Sequence, residues 1–192
     1  MRLSVILTLC SVSLAILLPS SAIAGVECNA DPEEHLKPFL AEFGLEELPD
    51  PFVPPNITFE LAVKTGNLLY LSGNGPALPE GGFITGKVPS ELSVEEAQRA
   101  ARLTAINQLA VIKNKVGSLT EVKRIVKLFG MVNADDDFTS HPTIINGASD
   151  LLVDVFGDCG YHARSAVGMS SLPFGIPVEI DMVVELKNSR PM

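Results

Sequence analysis

Two runs near the C-terminal end limit the fold more than any other part of the sequence. Tyr161 to Gly168 and Pro177 to Glu185 are both strand-like, and Ser170-Ser171-Leu172-Pro173-Phe174-Gly175 between them supplies the Ser, Pro and Gly that a chain reversal needs. The pattern predicts a hairpin. With the reversal centred near Ser171-Leu172, Arg164 falls opposite Glu179, His162 opposite Asp181 and Ala166 opposite Pro177, all on one face because side chains alternate with a period of two. Ala163, Ser165, Val167, Val178, Ile180 and Met182 then form the other face, which is the core side.

The polar face admits two readings. One is a cross-strand ion pair on an open sheet face, worth roughly 0.2–1 kcal/mol. The other is a ligand site in which the planar Arg164 guanidinium grips a carboxylate while Glu179 handles a proton or positions a water. A carboxylate beside an arginine has a lowered pKa unless it is also desolvated, which would suit Glu179 to act as a base. Spacing alone does not choose between them.

The 192 residues, 46% hydrophobic and 19% charged, are enough for one core and need no second domain. Arg2, the apolar run Leu3 to Leu18 and the small-x-small pattern Ala22-Ile23-Ala24 read as a signal peptide over residues 1–24. This predicts a periplasmic or secreted protein with no membrane attachment after cleavage. Residues 25–56 then form an N-terminal helix and Pro-rich connector, and residues 57–192 the main domain. Cleavage removes Arg2 and no acid, so the formal charge of −9 becomes −10. An acidic chain without a basic cluster repels phosphate backbones, so nucleic acid is not expected as a partner.

Cys28 and Cys159 are the cysteines left after cleavage, and in an oxidising compartment they are candidates for a disulfide worth about 4–5 kcal/mol in the chain-entropy model. Two unpaired thiols is the alternative. Three histidines, no HExxH and no CxxC give a metal site little support, and none is expected. Asp135-Asp136-Asp137 lacks calcium-loop spacing and reads as a solvated loop.

Along the chain, Asp31-Pro32-Glu33-Glu34 starts a short helix that Gly44 ends. Ile57 to Val63 and Leu68 to Ser72 predict a hairpin turning at Lys64-Thr65-Gly66-Asn67. Ser93-Val94-Glu95-Glu96 is a capping box opening a long helix that ends at Gly117. Glu121 to Val132 reads as a buried strand. Ser140-His141-Pro142 caps a second sheet-covering helix that closes at Gly157. The order predicts an α+β domain with both later helices on one face of the sheet, and a sheet with a bare face usually associates.

The sequence resembles the RidA (YjgF) family, including its members called endoribonuclease L-PSP-like, over roughly Ile57 to Lys187. The residues that carry the resemblance are Gly66 to Gly73 (GNLLYLSG), Val126-Lys127 with Val132-Asn133, Ala163-Arg164-Ser165-Ala166-Val167, Leu172-Pro173 and Val178-Glu179-Ile180. It implies a chorismate-mutase-like, mixed-sheet fold assembled as a homotrimer, with ligand sites between subunits. It implies a small carboxylate-bearing imine or enamine as substrate, hydrolysed to a 2-oxo acid and ammonia without metal or organic cofactor. The family's carboxylate-gripping arginine falls on Arg164, its water-associated glutamate on Glu179 and its strand-end serine on Ser72. Its helix asparagine corresponds to Asn146 if the loop Ala134 to Thr143 holds an insertion. Phe59 stands where the family often has tyrosine, and Ala166 where it commonly has cysteine. Two other functions stay in view: a non-catalytic carboxylate binder or structural trimer, and a ribonuclease, which the acidic charge disfavours.

Overall fold

Alternating apolar residues build one five-stranded mixed sheet, seen in a computed structural model that describes residues 28–187. The strands are β1 (Ala62–Thr65), β2 (Leu68–Asn74), β3 (Val122–Asn133), β4 (Ala163–Met169) and β5 (Val178–Leu186), in the order β1-β2-β5-β3-β4. The first hairpin forms, with Thr65 paired to Leu68 around Gly66, whose φ of +57° is left-handed and suits glycine. Its first strand begins later than the sequence predicts: residues 57–61 are irregular, so Phe59 precedes the ladder.

The predicted C-terminal hairpin does not exist. β3 lies between β4 and β5, parallel to β4 and antiparallel to β5. The reason is the helix between β3 and β4. A strand, a crossover helix and a strand make parallel neighbours, and this places β4 at the sheet edge beyond β3. The chain after β4 then crosses the end of β3, where Asn133 N–H donates to the Pro177 carbonyl and Ala134 N–H to the Met169 carbonyl.

Three helices, α1 (Pro32–Glu42), α2 (Val94–Val116) and α3 (His141–Phe156), complete the fold. α2 starts with the capping box, in which Ser93 Oγ accepts from Glu96 N–H at 3.2 Å and Glu96 Oε2 accepts from Ser93 N–H at 2.8 Å. Ser140 stands at the start of α3 but makes no side-chain cap bond. α2 and α3 cover one sheet face, where Leu128, Val132, Ile180, Met182 and Val184 meet Ile106, Leu109, Ile144, Ile145 and Leu152. Each such fully buried aliphatic side chain contributes about 1.5–3 kcal/mol. The two helices approach closely at Gly147, where a Cβ would strike the Gln98 carbonyl.

α1 lies outside this layer. Arg102 bonds Glu42 at 2.7 Å, Arg99 sits over the Phe43 ring, and Glu33 accepts from Leu119 N–H at 3.0 Å. The segment before α1 is anchored by a Cys28–Cys159 disulfide, with Cα atoms 5.1 Å apart, and by Asn29, whose amide caps the Asp154 and Val155 carbonyls at the end of α3. The expected leader over residues 1–24 lies outside the described residues.

Candidate functional site

Arg164 pairs with Leu128 across the parallel ladder and therefore shares its helix-side face, under α3. Its Nη1 donates to Asn146 Oδ1 at 2.8 Å and to Ser149 Oγ at 3.0 Å. Asn146 and Ser149 sit three apart on α3, which puts both acceptors on the same helix face. Ser149 Oγ is also 3.1 Å from His162 Nε2, and His162 Nδ1 is 2.7 Å from the Gly160 carbonyl.

A carbonyl can only accept, so His162 Nδ1 carries the proton and Nε2 accepts the Ser149 hydroxyl. That leaves the Ser149 oxygen free to accept from Arg164. Burial lowers the His162 pKa, and the charges of Arg164 and Lys127 push the same way against the Gly160 bond, so the imidazole favours its neutral form. The relay Arg164 to Ser149 to His162 to Gly160 fixes the guanidinium with neutral acceptors alone. Among the described residues, Nε and Nη2 of Arg164 have no partner and no carboxylate pairs with it. The ion-pair reading of Arg164 therefore fails.

Glu179 lies elsewhere. It is level with Met131 and Val167 and faces away from the helices, half-buried, whereas Arg164 is level with Leu128 and Met182. The expected pairs Arg164–Glu179, His162–Asp181 and Ala166–Pro177 are absent because β3 intervenes. Ala166 is level with Gly130 on the Arg164 face, while Ala163, Ser165 and Val167, expected in the core, share the Glu179 face.

Glu179 borders a cleft of about 280 Å³ with Ser72, Gly73 and Asn74 at the end of β2, Phe59 before β1, and an aromatic wall of Phe52, Phe83 and Phe174. The β2–β5 ladder is interrupted between Leu71 and Asn74, which loosens the strand end there. Gly73 leaves the Glu179 carboxylate room at that break: a Cβ there would push the carboxylate aside. Two amides of α2 hold the free backbone: Gln108 Nε2 donates to the Ser72 and Ile180 carbonyls, and Asn107 Nδ2 to those of Gly75 and Ala77. Ser72 Oγ donates to the Glu60 carbonyl at 2.8 Å.

Burial, and then the like charge of Asp181, raise the Glu179 pKa. This reverses the lowered value expected beside an arginine, since Arg164 is not beside it. Asp181 is itself raised by burial, opposed by Lys127, whose Nζ donates to Ser165 Oγ at 2.8 Å.

The six site residues expected from the sequence thus separate into two groups. Arg164 and Asn146 are hydrogen-bonded, with Ala166 on the same strand face; Glu179, Ser72 and Phe59 line one cleft. The groups do not meet within one chain. Sequence reasoning missed Asn107, Gln108 and Ser149. Paired amides inside the apolar stripe of α2 and a serine one turn after Asn146 were the available signals.

Comparison with known proteins gives a consistent picture. The profile of the YjgF/chorismate mutase-like family, whose description also carries a provisional endoribonuclease label, matches residues 45–186. Protein TCP17 of Trypanosoma cruzi is 43% identical over 135 residues, 70% of this chain and 84% of that protein. The crystal structure of protein Atu1372 from Agrobacterium tumefaciens superposes with a TM-score of 0.69 at 41% identity, over 81% of this chain and 94% of that one. RidA from the Antarctic bacterium Psychrobacter sp. PAMC 21119 superposes with a TM-score of 0.51 at 25% identity, over 71% and 94%.

Proposed function

The chain belongs to the YjgF/RidA family, and from that premise we propose that it hydrolyses imines or enamines derived from amino acids, in clefts formed between the subunits of a homotrimer. The observation that carries the reading is Arg164. A half-buried guanidinium held by two neutral acceptors, with its remaining donors unpaired among the described residues, is preorganised for an anion, and its flat fork matches a carboxylate.

The reaction asks little else of the protein. Water adds to the imine carbon, the C=N electron pair moves to nitrogen, and nitrogen takes a proton. The resulting tetrahedral carbinolamine then expels ammonia and leaves the 2-oxo acid. Glu179 is suited to take the proton from water and return it to nitrogen, because burial and Asp181 bring its pKa up towards the working range of a proton carrier. Holding carboxylate and water together supplies the rest through orientation.

Assembly supports the same reading. β4 is an edge strand, and the sheet face opposite the helices carries Tyr70, Phe129, Met131, Val167 and Val183, over which no helix packs among the described residues. Docking the β4 edge, where Arg164 sits, against a second copy would let Arg164 of one subunit approach Glu179 of another. An exported location belongs to the same proposal, on the strength of the Cys28–Cys159 disulfide and the leader-like sequence over residues 1–24.

A non-catalytic carboxylate binder is the second reading, favoured by Phe59 and Ala166, which lack the hydroxyl and thiol common at those places in the family. One experiment separates them. Imines generated in situ by an amino-acid oxidase should lose ammonia faster with the purified protein than spontaneously, and Arg164→Ala should remove the acceleration. No acceleration across several amino acids would establish the binder instead.

A further inference from the structure

The cleft beside Glu179 has a wall that the hydrolysis itself does not require. Phe83 and Phe174 stack with ring centroids 5.1 Å apart and planes 7° from parallel, and Phe52 meets Phe83 edge-on at 5.0 Å. The three rings come from separate stretches: the Pro-rich connector, the Gly-rich loop after β2 and the β4–β5 connection. Ile176 and Val111 line the cleft with them.

Phe174 is the informative one. Its φ of +58° is a left-handed conformation that disfavours any side chain with a Cβ, yet it carries a phenyl ring that is 66% exposed. The turn that imposes this is tied down on both sides: Gly175 N–H donates to the Leu172 carbonyl, and Gly86 N–H to the Gly175 carbonyl at 2.9 Å. Glycine or asparagine would suit the turn better. A ring held there, exposed and lining the cleft, offers a flat apolar surface to whatever enters.

Resting on the deaminase reading, we propose that this cleft takes the side chain of the substrate, and that the protein prefers imines with an aromatic or large apolar side chain over those with a methyl or ethyl group. The cleft volume of about 280 Å³ is just below the roughly 300–1,000 Å³ of small-molecule sites, a size that fits one imino acid. The polar rim of Glu179 and Ser72 faces the reacting carbon, and the phenyl wall lies beyond it. A flat side chain stacks on the outer Phe174 face, continuing the Phe83–Phe174 pair.

The test uses protein purified from expression of the full sequence, and two 2-oxo acids, 3-phenylpyruvate and pyruvate, as stable product probes. Calorimetric or NMR titration should find 3-phenylpyruvate bound at least about tenfold more tightly. Phe174→Ala should erase that ratio with oligomer size unchanged, and Phe83→Leu should reduce it. Turnover of oxidase-generated imines from phenylalanine and alanine is measured in parallel. Equal binding of the two acids, or binding of neither, overturns the proposal; alanine imine turnover in that case leaves the deaminase reading standing. Preference for 3-phenylpyruvate without turnover of any imine sustains the aromatic cleft and removes the deaminase. A changed oligomer size in Phe174→Ala makes the ring a subunit contact and also overturns the proposal.

Discussion

The Arg164 region and the Glu179 region are built by opposite means. Arg164 stands in a regular ladder beneath a regular helix, and hydrogen bonds to Asn146 and to Ser149, which is itself held by His162, fix it. Glu179 looks onto an interrupted strand end whose carbonyls are held by buried amides from behind, and its cleft is walled by loops. The difference matches what each would meet. Every amino-acid-derived imine presents the same carboxylate, which suits a rigid cation, whereas the side chain varies, and loops are where walls vary most easily.

Removing the rigid half should have the largest effect. Arg164→Ala is expected to lower kcat/KM for imine hydrolysis by about 10³, with a circular-dichroism melt close to wild type because no ion pair is lost. A collapse of assembly in this variant would move Arg164 from ligand capture to structure.

Glu179→Gln should cost about 10² in kcat while leaving carboxylate affinity nearly unchanged. Its stability effect has the opposite sign. The folded pKa of Glu179 is raised, so the fold favours the protonated form: that contribution is complete below the ordinary value of 4.5 and is lost as pH rises through the folded pKa. The neutral amide should therefore melt above wild type at pH 7, and the gap should close as pH falls below 4.5. A lower melting point at pH 7 would mean that the ionised carboxylate is paired in the assembled protein.

The loop-walled half can be loosened from behind. Gln108→Leu leaves the Ser72 and Ile180 carbonyls without their buried donor and should cost about 1–3 kcal/mol in a denaturant melt, with loss of turnover exceeding loss of carboxylate binding. The smallest effect is expected at the relay. Ser149→Ala removes one neutral acceptor from Arg164 and should weaken binding of a 2-oxo acid about fivefold by titration. Unchanged affinity there would mean that Asn146 alone positions the guanidinium.

Local signals were the legible ones. The capping box at Ser93 and the glycine after Val116 are bonds within one turn, so they could be read directly, and the alternation of Val178, Ile180 and Met182 correctly marked the helix-side face of β5. Strand pairing was not legible in the same way. β4 and β5 carry the alternation and intervening turn of a hairpin, but the crossover through α3 commits β4 to β3, and one wrong neighbour moved Ala163, Ser165 and Val167 to the wrong face and Arg164 beside the wrong partner. The Glu179 pKa followed from that error. Asn146 was reached through resemblance alone; its bond to Arg164 depends on a helix and a strand meeting, which no local pattern encodes.

The account rests on the two halves meeting between subunits, and hybrid oligomers test that most directly. Arg164→Ala and Glu179→Gln proteins, each strongly impaired alone, are mixed one to one, dissociated and reassembled, and imine hydrolysis is measured. Roughly three-quarters of randomly mixed trimers contain both chains, and each such trimer holds one intact cleft in three, so about a quarter of wild-type activity should return. Hybrids that assemble and stay as impaired as their parents would contradict a site shared between subunits.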